Sequence, residues 1–139
     1  MPKTSPLDGS EWAHLREQVA TIQALVKRRY GAGALDQSLA DLAVIQRLID
    51  DQVFDETQPD EVRSIGVVFG NVLQKELGFE WTALDDERGR EPGLVLKTAK
   101  PLMIHPMRMV LGRVAAGTRF DFQQMFRDVK ADVARVRLI

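Results

Sequence analysis

Cysteine is absent from the 139-residue chain, which removes disulfides, thiolate metal sites, iron–sulfur clusters and a cysteine nucleophile. Histidine occurs only at His14 and His105. There is no His-x-x-x-His pair and no Asp-x-Asp-x-Asp loop, so no metal site and no cofactor is expected. A nucleophilic triad would have to be built on one of those two histidines, neither of which sits in a recognisable motif, and no catalytic residue is assigned. Long apolar runs are missing too, since stretches such as Ile65 to Val68 are broken by glycine or polar residues. No membrane span is expected, and Met1-Pro2-Lys3-Thr4-Ser5-Pro6 lacks the apolar core of a signal peptide, so the expected location is cytoplasmic. Gly31-Ala32-Gly33 follows a helix rather than a strand and precedes no Gly-Lys-Ser/Thr, which excludes the P-loop and dinucleotide fingerprints. No repeat of fixed period and no low-complexity segment occurs.

What is present is 45% hydrophobic residues, enough for one ordinary domain over residues 9–139 after a polar, flexible tail at 1–8. A chain of this length buries roughly two thirds of its unfolded surface without staples. The net charge of −1 conceals an asymmetry: residues 1–87 hold 8 basic and 16 acidic side chains, and residues 88–139 hold 11 basic and 4 acidic ones. Oppositely charged parts of one domain are expected to face each other.

Period then assigns the elements. Ser10 is placed as the cap of a first helix from Glu11, with Trp12, Leu15, Val19, Ile22 and Val26 on one face. Ser38 with Asp41 resembles a capping box ahead of Leu39, Leu42, Ile45, Leu48 and Ile49. Pro59 opens a third helix whose stripe is Val62, Ile65, Phe69, Val72 and Leu73. Gly66 and Gly70 beside that stripe admit a close neighbour, and Gly78 terminates the helix. Beyond Gly78 the period falls to two: Phe79, Trp81 and Ala83 alternate with Glu80 and Thr82, residues 85–92 read as a charged turn, and Leu94 with Leu96, then Leu102 with Ile104, supply two more strands. His105-Pro106 opens a fourth helix, and Asp121 caps a fifth, buried through Phe122, Met125, Phe126, Val129, Val133 and Val136. The fold class is therefore α+β: three N-terminal helices, a three-stranded antiparallel meander and two C-terminal helices.

Four segments, Leu48-Ile49-Asp50-Asp51, Gly66-Val67-Val68-Phe69-Gly70, Glu76-Leu77-Gly78-Phe79-Glu80-Trp81 and Arg88-Gly89-Arg90-Glu91-Pro92, resemble a bacterial family, the domain of unknown function 3806. The resemblance spans about residues 45–126, with Arg113 to Gly117 and Phe126 among its later positions. It implies no activity and carries no catalytic residue with it.

The polar residues point to contact rather than catalysis. Arg88, Arg90, His105 and Arg108 stand with Asp85, Asp86 and Glu87 around the turn and the strand-to-helix junction, a mixed-charge set suited to selecting a protein partner by complementarity. Trp81 is read as core, with an indole N–H that needs an acceptor. On the last helix Asp128 and Asp132 interrupt Arg127, Lys130, Arg135 and Arg137, so no continuous cationic stripe for duplex DNA is expected. The expected function is a protein-binding or regulatory module; the alternatives are an enzyme whose site converges only in three dimensions, or nucleic-acid binding through the basic C-terminal part.

Overall fold

The computed structural model describes residues 3–31 and 34–138. In chain order the elements are β1 (Lys3–Ser5), α1 (Gly9–Tyr30), α2 (Ala40–Asp50), α3 (Pro59–Leu77), β2 (Glu80–Asp86), β3 (Gly89–Leu96), β4 (Leu102–Ile104), α4 (Pro106–Ala115) and α5 (Phe122–Arg137). The class is α+β. The sheet has four antiparallel strands in the order β1-β2-β3-β4, one more than the meander expected from period alone.

The additional strand comes from the segment expected to be a flexible tail. Lys3, Thr4 and Ser5 pair with Asp85, Leu84 and Ala83. Three polar residues carry no readable alternation; long-range partners hold them instead. Thr82 Oγ1 donates to the Ser5 carbonyl at 2.8 Å, and Leu7 is buried. Asp8, not Ser10, caps α1. Its carboxylate accepts from Glu11 N at 2.8 Å while Glu11 Oε1 accepts from Asp8 N at 3.0 Å, a reciprocal box that starts the helix at Gly9. Ser10 only donates to Asp8. Trp12 is correspondingly exposed, and Gln18 joins Leu15, Ile22 and Val26 on the buried side. Gly31 ends α1 in the left-handed conformation at φ +70°, while Gly33 lies outside the described residues.

α2 also begins differently from the expected capping box. Asp41 turns back to accept from Gln37 N at 2.9 Å and Asp36 N at 3.2 Å, folding the preceding loop over itself, and Leu39 is left exposed. Burial of Asp41 raises its carboxyl pKa against those two hydrogen bonds.

α3 is the hub, packed against α1, α2, α4 and α5, so it is buried well beyond a single stripe: Ser64 through Gly70 are all inside. Its two glycines make the close approach that their spacing predicts. A Cβ at Gly66 would lie 2.6 Å from Met107 Cα and 3.1 Å from the Pro106 carbonyl oxygen; one at Gly70 would lie 2.6 Å from Trp81 Cζ2 and 3.0 Å from Pro106 Cγ. Trp81 is buried as expected, and its indole N–H donates to Asn71 Oδ1 at 2.8 Å. α5 lays Phe122, Met125, Phe126, Val129 and Val133 into the core, the side its sequence period marks. Arg137 Nη2 reaches the Leu77 carbonyl at the C-terminal end of α3.

The expected turn at 85–92 contracts to two residues, Glu87 and Arg88, because β2 and β3 stay paired as far as Asp86 opposite Gly89. Arg88 N donates to Asp86 Oδ1 at 2.8 Å, and Gly89 supplies a φ of +106°.

The glycine contacts give a paired expectation. Gly66→Ala must displace backbone and should destabilise by about 1–3 kcal/mol. Gly112→Ala, with nothing within 4 Å of the added carbon, should be neutral or stabilising by up to about 1 kcal/mol. Urea midpoints of the two variants and the parent check both.

Candidate functional site

Side-chain alternation along the hairpin divides its charges between two faces. Asp85 lies opposite Arg90 in the register and shares its face; Asp86 and Glu91, in register with Gly89 and Leu84, project from the other. Each face is then gripped by arginine chemistry, but from different parts of the chain.

On the first face Arg90 reaches back to the N-terminal segment. Its Nη2 lies 2.7 Å from Glu11 Oε1, Nε 3.2 Å from Glu11 Oε2, Nη1 2.7 Å from Ser5 Oγ, and Nη2 3.1 Å from the Pro6 carbonyl. The guanidinium beside Glu11 holds that carboxyl below the usual carboxylate range, helped by the Asp8 N–H, and Glu11 in turn raises the Arg90 pKa. One planar fork thus ties β3 to β1 and to the first turn of α1.

On the second face α4 supplies the grip. Pro106 starts that helix immediately after β4, and the Gly66 contact seats its first turn against α3, which brings His105 and Arg108 over Asp86 and Glu91. Arg108 donates from Nη1 to Asp86 Oδ2 at 2.8 Å, from Nη2 to Asp86 Oδ1 at 3.3 Å, and from Nε to Glu91 Oε1. His105 Nδ1 lies 3.0 Å from the same Glu91 oxygen, and its Nε2 lies 3.8 Å from Asp86 Oδ2. The ring does not cap α4. All four side chains are half-buried. The Arg108 hydrogen bonds, followed by the Arg88 N–H, pull the Asp86 carboxyl down to about 2, and Asp86 raises the Arg108 pKa.

Of the residues singled out in the sequence, Asp86, His105 and Arg108 therefore converge. Asp85 and Arg90 stand on the opposite face, and Arg88 extends from the tip between them, exposed. Glu91 completes the cluster and was not among the expected residues. A two-residue hairpin would have revealed it, because that register puts position 91 on the same face as position 86. Among the described residues no group of three or more histidine, aspartate and glutamate side chains is arranged to hold a metal ion, and no helix is long and apolar enough to cross a membrane.

A family model described as Domain of unknown function (DUF3806) matches residues 41–126, well over half of the chain. The chain belongs to this family. The family segment runs from the first turn of α2 into α5, so it includes the hairpin and the His105–Arg108 cluster but not Asp8, Glu11 or β1. The grip on the second face is thus internal to the family domain, and the grip on the first face is completed by residues outside it. No curated protein matches the chain. A solved structure from Bacteroides thetaiotaomicron VPI-5482, a crystal structure at 1.50 Å resolution, is similar in fold, with a TM-score of 0.80 and 24% identity. The match covers 92% of this chain and 47% of that one, so this chain spans about half the length of that protein.

The Asp86 carboxyl gives a pH signature with a definite sign. A folded-state pKa of about 2 against the ordinary 3.8 contributes stability that is complete above the ordinary value and is lost as pH falls through the folded one. The difference in urea midpoint between the parent and Asp86→Asn should be constant from about pH 7 to 5 and shrink from about pH 4 toward 2. A difference unchanged over that range would place the carboxylate outside the arginine's grip.

Proposed function

We propose that this chain is a protein-binding module whose contact surface is the tip of the β2–β3 hairpin with its flanking charges. The observation that carries the reading is an imbalance in how the hairpin's charges are used. Arg90 engages Glu11, while Asp86 and Glu91 are engaged by Arg108. The side chains of Glu87 and Arg88 at the tip make no hydrogen bond or ion pair among the described residues and are exposed. A loop braced on both faces is already ordered, so a partner that docks on it loses little further conformational freedom, and opposite charges side by side at its tip select a complementary surface.

Two other readings have less support. His105 against Glu91 is the contact that acid–base chemistry would use, but Arg108 already occupies both neighbouring carboxylates, and no hydroxyl among the described hydrogen bonds reaches the ring. On α5, Asp128 and Asp132 stand among Arg127, Lys130, Arg135 and Arg137, and Arg135 is ion-paired with Asp132, which speaks against a continuous cationic track.

A photoreactive amino acid at position 88, with one at exposed position 16 as control, tests the surface in cells producing the full chain. A discrete protein adduct is expected at position 88 and not at 16. Glu87→Lys combined with Arg88→Glu should then weaken capture of that purified partner by at least about tenfold, with the unfolding midpoint unchanged. Capture equal to the parent's would defeat the assignment. Arg90 is left intact in this experiment, because it also ties β3 to Ser5, Pro6 and Glu11.

A further inference from the structure

The sheet ends differently on its two sides. At one edge β1 is polar, and its Ser5 is engaged by the Thr82 hydroxyl and by Arg90. At the other edge β4 reads Leu102-Met103-Ile104, an unbroken apolar strand paired only with β3. Its outward backbone groups make no hydrogen bond among the described residues, and all three side chains keep part of their surface in solvent. Neither a charged residue nor a bulge blunts the strand itself, and Pro101 and Pro106 only bound its length. An open apolar edge of this kind accepts a further strand.

Register and charge decide which strand fits. Ile104 lies opposite Leu94, which lies opposite Trp81, so Ile104 and Leu102 share the helix-facing side of the sheet; Met103, opposite Val95, lies on the reverse side. Set antiparallel against itself, with Met103 facing Met103 across a two-fold axis, β4 places Leu102 of one protomer beside Ile104 of its partner, so both faces of the joined sheet gain apolar pairs. The charges suit the same arrangement. Before the start of β4, Lys97 and Lys100 outnumber Glu80, and Lys100 is exposed with no ion pair among the described residues. Beyond its end, around His105, the carboxylates of Asp86 and Glu91 outnumber the Arg108 guanidinium. Antiparallel pairing brings the basic end of each protomer to the acidic end of the other, and the symmetry repeats the match.

We infer that β4 is a homodimer interface, in which two copies of the chain pair antiparallel along Leu102 to Ile104 about a two-fold axis at Met103 and join their sheets into one. The contact uses neither Glu87 nor Arg88, and it stands or falls independently of the protein-binding reading. Three residues a side make it weak, with a dissociation constant between about 10 μM and 1 mM.

Sedimentation of the full chain across that concentration range tests the inference, and the average mass should rise from that of the monomer toward twice that value. Because the chain has no cysteine, Met103→Cys introduces a single thiol. Directly opposed strand positions lie within disulfide reach, so mild oxidation should link this variant into dimers at a yield at least about fivefold above that of Arg16→Cys, which alters an exposed residue of α1. Lys100→Glu, at an exposed position, should weaken dimerisation at least about fivefold with the urea midpoint unchanged, and Lys100→Arg should leave it as in the parent. The inference is overturned if the chain stays monomeric at about 1 mM, or if Lys100→Glu dimerises like the parent. It is equally overturned if the chain dimerises while Met103→Cys cross-links no better than the control, since the contact then lies on another surface. An edge reserved for a strand of a different protein would leave the purified chain monomeric, and so counts against the inference too.

Discussion

The seat that α3 provides for the start of α4 governs the rest of the molecule. Two helix positions without side chains, Gly66 and Gly70, let the backbone of Pro106 and Met107 and the indole of Trp81 come within contact of the α3 axis. Sheet and helices meet at this point: Trp81 comes from β2, Pro106 follows β4, and both touch the same glycine. The placement of His105 and Arg108 over the hairpin follows from it, since they flank the residues pressed against α3. A methyl group at either glycine would act first on packing and, through the tilt of α4, on the ion pairs at the far end of the hairpin.

Electrostatics complete what packing begins. The acidic first part of the sequence and the basic second part are joined in space by pairs that cross the boundary: Glu11 with Arg90, Glu80 with Lys97, and Asp86 with Arg108. Two of these pairs, Glu11 with Arg90 and Asp86 with Arg108, hold the sheet to the flanking helices. The Glu80–Lys97 pair is largely exposed and contributes little, whereas the half-buried fork of Arg108 on Asp86, and the fork of Arg90 on Glu11, fix geometry as well as charge.

How much of this was legible in the sequence depended on distance along the chain. The helices were readable from their apolar period, and the role of Gly66 and Gly70 from their spacing on one face. The start of α1 was misplaced because Asp8 and Ser10 are both good caps, and the choice rests on Glu11, which must serve Asp8 and Arg90 together. The strand β1 and the tightness of the hairpin were hidden for a related reason. Their polar residues are satisfied by partners far away in sequence, Ser5 by Arg90 and Asp86 by Arg108, so local composition reads as tail and loop where the chain is paired. Glu91 was overlooked because its face follows from the turn length, which those remote contacts determine.

The three residues of β1 also close a boundary. Without them the backbone of β2 from Ala83 to Asp85 would present unpaired N–H and C=O groups alongside buried Leu84, the kind of open edge on which another chain can add a strand. The strand that covers this edge is short and polar, and backbone pairing, the Thr82 hydroxyl, buried Leu7 and Arg90 fasten it together, so its attachment has a colloidal consequence as well as a conformational one. Detachment of these residues would leave β2 as a template for association between molecules, an outcome that the backbone pairing of β1, the burial of Leu7 and the Arg90 contacts oppose together.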